Sequence, residues 1–206
     1  MRIALTFVAL LVVMSTAAAQ TIQKLTREQS HILLDIEGYE RAGEAYNYLQ
    51  AANYSGETYF VARWLPRDAA FAVARIYELS PNYTFRAGSE GITSSWVQAH
   101  LAKLKDRQVV FEAPLADTEK FRLVRFSAEP AACVAFQTII GDVGVRHDSS
   151  SGVRHASASG VACSQTVKRL TDEDVGRILA GVRIAMNGGR PQRAFDTPEA
   201  RIFMKQ

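Results

Sequence analysis

The residues best suited to chemistry in this chain are four histidines and two cysteines. His147, Asp148 and His155 fall in an internal repeat: Gly144-Val145-Arg146-His147-Asp148-Ser149-Ser150-Ser151 recurs as Gly152-Val153-Arg154-His155-Ala156-Ser157-Ala158-Ser159, and Gly160-Val161 begins it again. Imidazole and carboxylate together would suit zinc or another divalent cation. The spacing argues otherwise, because two histidines a full copy apart are not neighbours on any single helix or strand. A closed site would also need a third or fourth ligand, with only His31 and His100 left to supply a histidine. No metal site is expected, and the repeat reads as a polar Gly/Ser-rich hairpin tip. His147-Asp148-Ser149 contains the residue types of a catalytic triad, yet a triad is assembled from separated segments, not from chain neighbours.

His100 is the more interesting imidazole. It lies within an apolar arc of Trp96, Val97, Leu101 and Leu104, where burial beside an indole could tune it for proton transfer. The alternative is a core or rim histidine with one hydrogen-bond partner. Cys133 and Cys163 read as a single disulfide closing a loop of about 30 residues, with two buried thiols as the alternative. Tyr39, Tyr46, Tyr48, Tyr54 and Tyr59 could stack a ligand, but at helix and strand spacing they read first as core aromatics with their hydroxyls reaching water. The chain has no His-Glu-x-x-His, no Gly-x-Ser-x-Gly, no phosphate-binding Gly-rich loop and no Cys-x-x-Cys. No cofactor is called for.

The elements that must position these residues follow from periodicity. Thr26 with Gln29 has the form of a capping box, and Ile32, Ile36, Tyr39, Gly43 and Tyr46 recur at helical spacing, so helices are expected near 27–37 and 40–52. Thr58–Leu65 is rich in β-branched and aromatic residues and reads as a strand, as does Phe71–Leu79 with its alternation. A helix is expected over about 95–105. The apolar runs at 109–111, 121–126 and 132–140 read as strands, the last covered on both faces. Cys133 opens that last strand, and 158–162 reads as its return partner. Thr171 followed by Asp172, Glu173 and Asp174 predicts a helix start, with Val175, Ile178, Leu179, Val182 and Met186 as its stripe and Gly188-Gly189 as its stop. The expected fold is α+β: a mostly antiparallel sheet of about five to seven strands with N-terminal helices, one middle helix and a C-terminal helix.

Composition bounds the destination. Arg2 precedes an apolar run, Ile3 to Met14, that is too short to span a bilayer, and Ala17 and Ala19 occupy the positions that a signal peptidase reads. Residues 1–19 are therefore expected to be a signal peptide, 20–189 one globular domain and 190–206 a loosely ordered tail. No later stretch is apolar enough for a membrane helix. Losing Arg2 lowers the formal net charge of +3 by one, and the basic residues are scattered singly, which gives no footprint for nucleic acid. Arginine outnumbers lysine three to one, a bias that points to a bacterial chain bound for the periplasm or medium. The first functional reading is a non-enzymatic binding or interaction domain with an envelope or extracellular partner. The second is a small secreted hydrolase using dispersed carboxylates and His100, since paired-carboxylate chemistry leaves no short motif.

The leader makes a direct prediction. N-terminal sequencing of exported protein is expected to begin at Gln20; retention of Met1 would reject the export reading.

Overall fold

The computed structural model describes residues 22–37, 47–53, 56–64, 70–80, 92–100, 106–141, 155–185 and 190–204. Its main feature is an eight-stranded, wholly antiparallel sheet. The strands in chain order are β1 (Ile22–Leu25), β3 (Asn47–Asn53), β4 (Gly56–Trp64), β5 (Ala70–Leu79), β6 (Val110–Asp117), β7 (Phe121–Ala128), β8 (Ala131–Ile140) and β9 (Ala156–Ser164). They lie in the order β1-β3-β4-β5-β9-β8-β7-β6. Two meanders, β3-β4-β5 and β6-β7-β8, are thus joined through β9, which returns from β8 and pairs with β5. A second sheet, β11-β10-β2, is built from β2 (Ile32–Leu34), β10 (Val182–Ile184) and β11 (Gln192–Arg193). Three short helices complete the described chain: α1 (Ser94–His100), α2 (Asp172–Gly181) and α3 (Pro198–Met204).

Both faces of the large sheet are covered at its centre. One face carries Ala72, Ala74, Ile76, Phe121, Leu123, Val134, Phe136, Ala158 and Ala162 and packs against β2, α2, β10 and the segment leading to α3. Phe195 fills the middle of that interface, its ring 5.9 Å from Phe121 and 5.1 Å from Phe136. Gly160 leaves the room Phe136 needs, since a Cβ there would stand 2.6 Å from the Phe136 ring and 2.4 Å from the Val73 carbonyl oxygen. The opposite face carries Phe71, Val124, Phe126, Cys133, Ala135, Val161 and Cys163, covered by Trp96 and Val97 of α1. Residues 131 to 136 are consecutively buried, as a strand covered on both sides must be.

Cys133 and Cys163 stand directly opposite each other on β8 and β9, their Cα atoms 4.1 Å apart, and are disulfide-bonded. The expected pairing of these two strands is present. Strands expected from the apolar runs, from the β-branched and aromatic content of 58–65 and from the alternation in 71–79 are also present as β4 to β8. Thr171 caps α2 as expected: its hydroxyl accepts from Asp174 N at 3.1 Å while Asp174 Oδ2 accepts from Thr171 N at 2.8 Å. Hydrogen bonds from Thr171 and Arg177 outweigh the opposing effect of burial and hold the Asp174 carboxyl below its usual range.

Three expectations need correction. The segments expected as N-terminal helices, near 27–37 and 40–52, hold a turn, β2 and, from 47, most of β3. Thr26 does accept help from Gln29, whose Oε1 bonds Thr26 N at 2.9 Å, but the chain then turns instead of coiling. Ile32, Leu33 and Leu34 are all buried, because β2 is clamped between the large sheet and β10, with Leu34 opposite Val182. Tertiary strand pairing claimed the backbone that helical spacing had suggested for a helix. Residues 38–46 lie outside the described residues. Secondly, the sheet has eight strands, and the molecule is mainly β. Thirdly, α2 ends at Gly181, and Val182–Ile184 leave as β10; the expected stop at Gly188-Gly189 lies outside the described residues. Gly176 inside α2 is explained by α3, because a Cβ there would meet Phe203 O at 2.1 Å. The C-terminal segment, read from composition as a loose tail, carries the fully buried Phe195 and Ala200.

The N-terminus of α2 is pinned to the sheet by an ion pair between Asp172 and Arg125, whose side chain on β7 is only 3% exposed. Removing the acid strands a buried guanidinium, whereas replacing the guanidinium with an apolar chain removes the need for it. Asp172→Ala is expected to lower unfolding free energy by about 2 kcal/mol, discounted for the exposure of Asp172. Arg125→Met is expected to cost less, by about 1 kcal/mol or more. Urea titrations of both variants check this; equal losses would show that the pair acts through packing alone.

Candidate functional site

The face covered by α1 changes character beyond its apolar core. At one level across the sheet, Arg122 on β7 stands opposite Gln137 on β8, Gln137 opposite Ser159 on β9, and Ser159 opposite Arg75 on β5. Directly opposed residues have Cβ atoms about 5 Å apart, so four polar side chains run side by side across four strands. Arg75 Nε donates to Ser159 Oγ at 3.1 Å, and its guanidinium carbon lies 6.0 Å from the centre of the Trp96 ring. Ser159 is 2% exposed and so is held fast, while Arg75 and Gln137 are half-buried. The Gln137 amide oxygen is buried and accepts no hydrogen bond from the described residues.

Arg75 differs from the other described arginines that are not exposed. Arg125 pairs with Asp172, Arg122 Nε donates to Asp117 Oδ1 at 3.2 Å, and Arg107 Nη1 donates to the carbonyls of Ala128 and Glu129 at 3.2 and 2.8 Å. Arg75 meets a hydroxyl and an indole, and among the described residues no acid faces it. Burial pushes its guanidinium below the ordinary arginine value, with no opposing carboxylate to restore it.

At the β6 end of the row the sheet edge opens into a cleft of 240 Å³. Its cause is local: pairing of β6 with β7 slips between Phe111 and Pro114 and again between Pro114 and Ala116, so β6 bows away from its neighbour. Ile92, Phe111, Pro114 and Val124 give the cleft an apolar wall, and Arg122, paired with Asp117, also lines it. Bulges and Pro114 also spoil this edge for pairing with a further strand.

A second polar contact lies on the opposite face. His31 Nδ1, just before β2, stands 2.6 Å from Oε1 of Glu78, a carboxylate only 7% exposed at the end of β5. Leu79 N donates to the His155 carbonyl at 3.0 Å, and the His155 side chain is buried nearby in sequence register, one residue before Ala156 opposite Glu78.

The sequence-predicted residues scatter differently. Cys133 and Cys163 come together in the disulfide, below the polar row and within the apolar core. His100 ends α1, and its side chain lies outside the described residues, as do His147, Asp148, Ser149 and the tyrosines of 39–54. The repeat therefore falls outside the description except for its last residues, His155–Ser159, which enter β9. Among the described residues no group of three His, Cys, Asp or Glu could hold a metal ion. No helix among them is long and apolar enough to cross a membrane. Sequence reasoning passed over Arg75, Gln137 and Ser159. The available signal was a lone charge in the β5 alternation and a lone amide inside the apolar run of β8. In comparisons with known proteins, the chain matches no family model, no curated protein and no solved structure.

The His31–Glu78 contact ties the small sheet to the large one. Glu78→Leu leaves the His31 nitrogen without its acceptor and is expected to destabilise the fold by about 1–3 kcal/mol, whereas Glu78→Gln keeps an acceptor and is expected to cost about 1 kcal/mol or less. Thermal melts of the two variants distinguish hydrogen bonding from simple packing, since packing alone would make Leu the better replacement.

Proposed function

We propose that this protein is an exported, non-enzymatic binding domain that works in the periplasm or outside the cell, through the α1-covered face of its large sheet. The observation that carries the reading is Arg75: a half-buried guanidinium with no acid facing it among the described residues, flanked by a rigid Ser159 hydroxyl and the unbonded Gln137 amide oxygen. Desolvated polar groups without partners are costly in a finished fold, so such a cluster supports a site completed from outside. Export is supported by the N-terminal leader pattern, and the disulfide fits an oxidising compartment.

The hydrolase reading retains one observation in its favour, the His31–Glu78 contact. A carboxylate against Nδ1 orients an imidazole so that its other nitrogen can move a proton. The pair also has a purely architectural use at the junction of the two sheets, and the described residues bring no nucleophile or second carboxylate to it.

Mature protein incubated with the small-molecule fraction of an envelope extract, washed and analysed by mass spectrometry tests the binding reading. Compounds retained by the wild type and lost by the Arg75→Gln, Gln137→Leu double variant are expected. Identical retention by both proteins would reject this face as the site. Compounds consumed by the wild type but not by His31→Ala would favour the hydrolase instead.

A further inference from the structure

We propose that the outer face of the small sheet binds a phosphoryl group, as free phosphate or as a phosphomonoester, between Arg183 and Arg193. This site lies on a different sheet from the Arg75 face and does not rest on the reading given for that face.

Arg183 on β10 and Arg193 on β11 stand directly opposite each other. Alternation sets their direction: Val182 and Ile184 are buried in the core, so Arg183 between them projects to the other side of the strand. As cross-strand partners the two arginines share that side, with Cβ atoms about 5 Å apart. Both are exposed, so an anion reaches them without the fold opening. Like charges in this position destabilise a strand pair, and one of the two residue pairs that join β11 to β10 is this one.

The surroundings leave the two charges standing. Arg27, Arg169, Arg177 and Arg201 are also exposed, and each holds a carboxylate at 2.8 Å or less. Arg183 and Arg193 form no ion pair among the described residues, and Leu33 on the other side of Arg183 offers none. Asp196 is the acid that feels this patch. The hydrogen bond from Arg201 holds its carboxyl below the usual range, and Arg193 adds only a lesser pull. Three guanidinium charges against that one carboxylate leave an excess of two. A phosphoryl dianion offsets both, whereas a carboxylate offsets one. Each guanidinium also presents a planar donor fork to two oxygens, so a pair of forks matches the several oxygens of a phosphoryl group.

Amide NMR titrations of the mature, disulfide-bonded protein with inorganic phosphate and with acetate test the site. Phosphate is expected to bind saturably, with shifts centred on Arg183 and Arg193, and about tenfold more tightly than acetate. Arg183→Gln and Arg193→Gln are each expected to weaken phosphate about tenfold. Arg183→Glu turns a repulsive cross-strand pair into an attractive one, so it is expected to melt at or above the wild-type temperature while losing phosphate. Co-sedimentation with phosphatidylcholine vesicles containing phosphatidic acid separates the two sources. Retention that Arg183→Glu abolishes would assign a lipid-borne phosphomonoester; phosphate binding without retention would assign a soluble one. Absence of binding to both phosphate and vesicles, shifts confined to other regions, or equal affinity for acetate would overturn the proposal. So would a marked fall in melting temperature shared by Arg183→Glu and both glutamine variants, which would show that the guanidinium groups serve the fold.

Discussion

The pairing of β8 with β9 is the contact on which the rest of the structure depends. It joins two parts that would otherwise be separate sheets of five and three strands, and it is the place where both faces are buried. A strand with no solvent face cannot alternate, and β8 does not: residues 131–136 are buried without interruption. The Cys133–Cys163 bond sits in register within this pair and, with a sequence separation of 30, constrains the unfolded chain at this seam.

Burial on two sides forces a choice of side-chain size. The face toward β2 and α2 takes large aromatic residues, Phe121, Phe136 and Phe195, and accommodates them by keeping β5 and β9 small with Ala72, Ala74, Ala158, Gly160 and Ala162. The other face has only α1 among the described helices, and a seven-residue helix covers little of an eight-stranded sheet. Trp96 and Val97 seal the level of the disulfide. Two levels further along the strands, past Val124, Ala135, Val161 and Val73, the row Arg122, Gln137, Ser159 and Arg75 begins. The polar site is thus a consequence of unequal cover: the residues there are held by the sheet's regular geometry yet are not enclosed by an apolar layer from α1. A site built on neighbouring strands is also rigid, which lowers the entropy lost when a ligand orders its partners.

Strands were legible where local pattern and tertiary role agree. The apolar runs of β7 and β8, the alternation of β5 and the capping box of α2 each carry their signal within a dozen residues. The N-terminal region misleads because Ile32 and Ile36 have the spacing of a helical stripe. What overrides that spacing is β10, some 150 residues further on, which offers Ile32–Leu34 a full set of strand partners. Phe195 illustrates the same limit. Nothing around it, in a segment of Gly, Pro, Arg and Gln, marks it as the centre of an aromatic cluster made with β7 and β8.

Residue type and local order alone carry the expectation of a leader, and they determine the class of most strands, the start of α2 and the availability of two cysteines for one another. These depend on hydrophobicity, capping and periodicity, which act over a few residues. The candidate site had no such signature. Arg75, Gln137 and Ser159 are individually unremarkable, and they are separated by as many as 84 positions along the chain. They become one row only when antiparallel register sets β5, β9 and β8 side by side, and Arg75 becomes unusual only when burial strips its water without supplying an acid. Register and desolvation are properties of the assembled sheet, so tertiary structure alone decided where this protein keeps its unsatisfied chemistry.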